Sequence, residues 1–63
     1  MKFVKITDET TALSLEERGF SFTKETINKG QTMYVFQDTP ALNKTLNLFY
    51  SMGVAVKENV MRF

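Results

Sequence analysis

The chain has 63 residues, 43% of them hydrophobic and 13% aromatic, and its eight Lys and Arg against seven Asp and Glu leave a net charge of +1. That length allows a single domain, residues 1–63, burying only about 60% of the surface its unfolded form exposes. The sequence contains no cysteine and no histidine, which removes disulfide bracing, thiolate metal sites and the commonest general base.

From Lys2 to Ile6 the residues alternate, Val4 and Ile6 against Phe3 and Lys5, and predict a strand. Thr7 and Asp8 offer an N-cap, Glu9 adds negative charge to the first helical turn, and Ala12, Leu13 and Leu15 supply an apolar stripe. Gly19 stands where a left-handed residue ends such a helix. The next segment, GFSFTKETI, returns to a two-residue period with Phe20, Phe22 and Lys24 on one face. Asn28-Lys29-Gly30 is turn chemistry, and Gln31 to Gln37 reads as the return strand of a hairpin.

Asp38-Thr39-Pro40 starts a second helix, with Asp38 or Thr39 as cap and Pro40 in the first turn, where its missing N–H costs nothing. Leu42, Leu46, Phe49 and Met52 recur at helical spacing, and Gly53 ends the helix. The last ten residues, VAVKENVMRF, read as a strand with a bulge or turn near Glu58-Asn59, or alternatively as a separate hairpin. The resulting order is β-α-β-β-α-β. It predicts an α+β, ferredoxin-like (split βαβ) fold with a four-stranded antiparallel sheet and two helices on one face. No apolar run reaches the length of a membrane span or signal-peptide core, so a cytoplasmic protein without membrane contact is expected.

The octamer KGQTMYVF, residues 29–36, resembles the third-strand signature of RNA-recognition motifs through Lys29, Gly30 and Phe36. In that family the third and fifth positions carry the exposed stacking aromatics, and here they are Gln31 and Met33. Tyr34 and Phe36 fall where the fold needs packing. The match is therefore present at interior positions and missing where RNA would be touched. Nucleic acid stays as the alternative partner because Lys5, Lys24, Lys29, Lys57 and Arg62 lie in or beside expected strands, although they do not share one parity.

The chemistry of known ferredoxin-like enzymes and carriers is absent. Acylphosphatases of this fold hold phosphate with an arginine after the first strand, where this chain has Thr7-Asp8-Glu9; metal chaperones use Cys-x-x-Cys. The neighbouring carboxylates Asp8 with Glu9 and Glu16 with Glu17 diverge on a helix. No catalytic, cofactor-binding or metal-binding residue is assigned, no small-molecule substrate is evident, and a non-enzyme is expected. What is left is surface: Met33 and Val35, if they face outward beside Phe3 and Lys5, would offer an adaptable apolar patch to a protein partner or to a second copy as a homodimer. Phe3, Lys5, Met33 and Val35 are the candidate contact set.

ITDETTALSLEERGFSF, then YVF and the closing NVMRF, resemble a group of short uncharacterised proteins of Gram-positive bacteria and their phages or mobile elements. That group shares a first strand, a T/S-D-x-x-T-A helix start and a G-F entry to the next strand. The resemblance implies a small accessory role and transfers no functional residue.

Overall fold

The computed structural model describes residues 2–27 and 30–63. Asn28 and Lys29 lie outside them, and with them the centre of the expected turn and one of the expected phosphate contacts. The elements are β1 (Phe3–Ile6), α1 (Glu9–Glu17), β2 (Phe22–Thr26), β3 (Thr32–Gln37), α2 (Pro40–Met52), a 3-10 turn at Lys57–Asn59 and β4 (Val60–Arg62). The four strands form one open antiparallel sheet in the order β2-β3-β1-β4.

Local chemistry starts and stops each helix. Asp8 caps α1, its carboxylate accepting from the Thr11 amide at 3.3 Å and from the Thr11 hydroxyl at 2.6 Å. Thr39 caps α2 by accepting from the Leu42 amide at 3.2 Å, and Pro40 follows in the first turn. Asp38 is not the cap. Its carboxylate accepts from the Asn43 carboxamide at 2.6 Å and lies 3.7 Å from the Arg62 guanidinium, which ties the start of α2 to β4. Gly53 closes α2 at φ 75°, a left-handed conformation that side chains resist.

The core is one cluster. Val4 and Ile6 of β1, with Tyr34 and Phe36 of β3, meet Ala12 and Leu15 from α1 and Leu42, Leu46 and Phe49 from α2. Phe22 seals the β2 side, edge-on to Tyr34 with ring centres 5.1 Å apart and tilted against Phe36 at 5.4 Å. The expected interior roles of Tyr34 and Phe36 therefore hold: they are 5% and 1% exposed.

Three expectations are corrected. Leu13 is 43% exposed, because the buried face of α1 is set by Thr11, Ala12 and Leu15, and Leu13 turns about 100° away from Ala12. Met52 is 57% exposed although it continues the spacing of Leu46 and Phe49. Beyond Gly53 the chain reverses, the amides of Val54 and Ala55 donate to the Phe49 carbonyl, and Ala55 enters the core instead. The final segment is a strand only in its last part: the expected turn near Glu58-Asn59 is present as the 3-10 turn Lys57–Asn59, but Val54–Val56 before it is irregular, and Val60–Arg62 pairs antiparallel to β1.

A candidate protein-contact face on the sheet

Residues directly opposite one another in an antiparallel pair project to the same side of the sheet. Val4, Ile6, Tyr34 and Phe36 project to the helices, so Phe3, Lys5, Met33 and Val35 project to the other side. The four candidate contact residues thus share one face, as expected. Two further residues join them. Met61 stands opposite Lys5, and Phe63 is joined to Phe3 by reciprocal backbone bonds, the Phe3 amide donating to Phe63 at 3.1 Å and the Phe63 amide returning at 2.9 Å. Their parity was readable in Val60-Met61-Arg62-Phe63, but only once that run, and not Val54-Ala55-Val56, is known to be the strand.

The face is not uniformly open. Met33 is 4% exposed, less than a contact residue needs. The cause is a side-chain strap. Lys5 on β1 reaches Glu25 on β2 at 3.0 Å, and since β3 lies between those strands the ion pair must cross above it. Lys5 is opposite Val35 and Glu25 is opposite Met33, so the two aliphatic stems run over β3 and cover Met33. The same ammonium lies 4.9 Å from the centre of the Phe63 ring. Lys5 therefore serves the face as a neutralised hub, and the exposed apolar surface is displaced toward β4: Phe3 is 41% exposed, Met61 37% and Phe63 63%. The last strand flanks β1 at the sheet edge and does not fold across this face.

Among the described residues the alternative phosphate-contact residues do not all share one surface: Lys57 and Arg62 border a common groove, and Lys5 and Lys24 lie apart from it. Lys5 is on the open face and paired with Glu25. Lys24, opposite Tyr34, and Arg62, opposite Val4, lie toward the helix side on β2 and β4, which occupy the two ends of the strand order. Lys57 sits in the 3-10 turn with its ammonium 5.6 Å from the Tyr50 ring centre. Lys29 falls outside the described residues.

Among the described residues no group of acidic or other ligating side chains is placed to hold a metal ion, and no helix is long and apolar enough to cross a membrane. The Tyr34 phenol is displaced from its usual behaviour. Burial of the Tyr34 phenol, then its 3.0 Å hydrogen bond to the Glu9 carboxylate and the charge of that carboxylate, raise its pKa above the ordinary value of 10.0. That contact fastens α1 to β3 and is a structural tie. Compared with known proteins, the chain matches no family model, no curated protein and no solved structure.

Proposed function

We propose that this is a non-catalytic interaction module on a ferredoxin-like scaffold, contacting protein through the sheet face opposite the helices, with a second copy of itself as the occupant. The scaffold reading is supported by the strand order β2-β3-β1-β4, with every neighbouring pair antiparallel. One observation carries the functional reading: Phe3, Met61 and Phe63 are exposed side by side on a face whose only strand charges among the described residues, Lys5 and Glu25, cancel each other. Apolar groups on an uncharged sheet gain by leaving water, and two identical neutral faces meet without repulsion. The small accessory role implied by the resemblance to short bacterial and phage proteins is part of the same proposal.

Strands lie about 4.8 Å apart, so a face of four is roughly 15–20 Å wide. Such a face buries less than the about 800 Å² per partner of a long-lived complex, and its association is weak and reversible. The test is sedimentation velocity across a wide concentration range. The wild-type chain is expected to show a rising average mass, and Met61→Lys, which puts a charge at the centre of the patch, is expected to stay monomeric. Identical monomeric behaviour of both at the highest concentration removes the self-association reading.

A further inference from the structure

On the helix side of the sheet, α2 and β4 border a groove of about 450 Å³ lined by Asn47, Tyr50, Lys57, Val60 and Arg62. That volume is within the roughly 300–1,000 Å³ typical of small-molecule sites. Asn43, Asn47 and Tyr50 recur at i, i+4 and i+7 and so form a polar stripe along one side of α2. One end of the stripe is used: the Arg62 guanidinium donates to the Asn43 side-chain oxygen and lies 3.7 Å from Asp38, which fixes its place at the rim.

The other end is unused. Among the described residues the Asn47 carboxamide and the Tyr50 hydroxyl have no hydrogen-bond partner, and Lys57 forms no ion pair. No carboxylate lines the groove. Asp38 offsets the charge of Arg62, so the charge of Lys57 is left without a counterpart, held over an aromatic ring beside two free polar groups. Val60 and the flank of the Tyr50 ring add apolar wall.

We propose that this groove binds a small molecule carrying an oxyanion, a phosphate or a carboxylate, with Lys57 supplying positive charge, Arg62, Asn47 and Tyr50 supplying hydrogen bonds, and Val60 meeting an apolar portion of the ligand. The site is separate from the sheet face and does not depend on its role.

The test is an amide-resolved NMR titration of the full chain with inorganic phosphate and, separately, acetate, at constant ionic strength against chloride. Saturable shifts confined to Asn47, Tyr50, Lys57, Val60 and Arg62 are expected from at least one probe, and the probe that saturates tells phosphate from carboxylate. Lys57→Glu, at an exposed position, should weaken binding about tenfold. Asn47→Ala should weaken it less and serves as the second variant if the first loses its fold. Shifts that grow linearly with both probes, that appear equally beside Lys2, Lys24 and Lys44, or that persist unchanged in the folded variants overturn the proposal.

Discussion

The environment of the Tyr34 phenol sets a stability trend with pH. Below its unfolded pKa of about 10 the phenol is protonated in both states and contributes no pH dependence. Above that value the unfolded chain releases the proton, while the folded chain, with its raised pKa, retains it. The folded state then binds more protons, so stability falls as pH rises. Thermal melts from about pH 9 to about pH 11 should show this decline, and Tyr34→Phe should flatten it. Met33 tests the strap. It lies outside the helix-packed cluster yet under Lys5 and Glu25. Met33→Lys adds a cation beside Lys5, but its ammonium can reach water at the sheet surface, so the fold should survive with about 1–3 kcal/mol less stability in a urea titration.

At the scale of elements, caps matter because a domain this small has little stability to spare. Thr39→Ala removes the acceptor for the Leu42 amide and should lower stability by about 1 kcal/mol, seen as a lower urea midpoint at unchanged slope. The starts of both helices were legible because Asp8 and Thr39 accept bonds from residues three positions on, and Pro40 suits a first turn by its own ring. The hairpin strands were legible from alternation, as was the interior parity of Tyr34 and Phe36. What escaped depended on contacts distant in the chain. Both Val54-Ala55-Val56 and Val60-Met61-Arg62 alternate like strands, and only the available edge of β1 selects the second. Asp38 reads locally as a cap, but Arg62, far along the sequence, is within reach of it. The candidate face was half legible for the same reason: Phe3, Lys5 and Val35 follow from parity, whereas the strap over Met33 and the arrival of Met61 and Phe63 require the strand order.

For the whole molecule, the charges are arranged so that the open face is neutral while Lys24, Lys57 and Arg62 sit elsewhere. Self-association through Phe3, Met61 and Phe63 should therefore change little as salt rises from about 50 mM to about 500 mM in sedimentation equilibrium, whereas contact with a phosphate backbone would weaken steeply. A steep salt dependence would place the contact on the cations instead.

The position of β1 has a consequence for how the chain is assembled. Although it comes first among the strands, it lies inside the sheet, and its neighbours are supplied by residues 32–37 and 60–62. One flank stays bare until the last strand docks, and removing that strand would turn an interior ladder into a rim of unsatisfied backbone groups able to recruit foreign strands. Three short residues thus act as a selvedge, keeping the weave from unravelling into its neighbours.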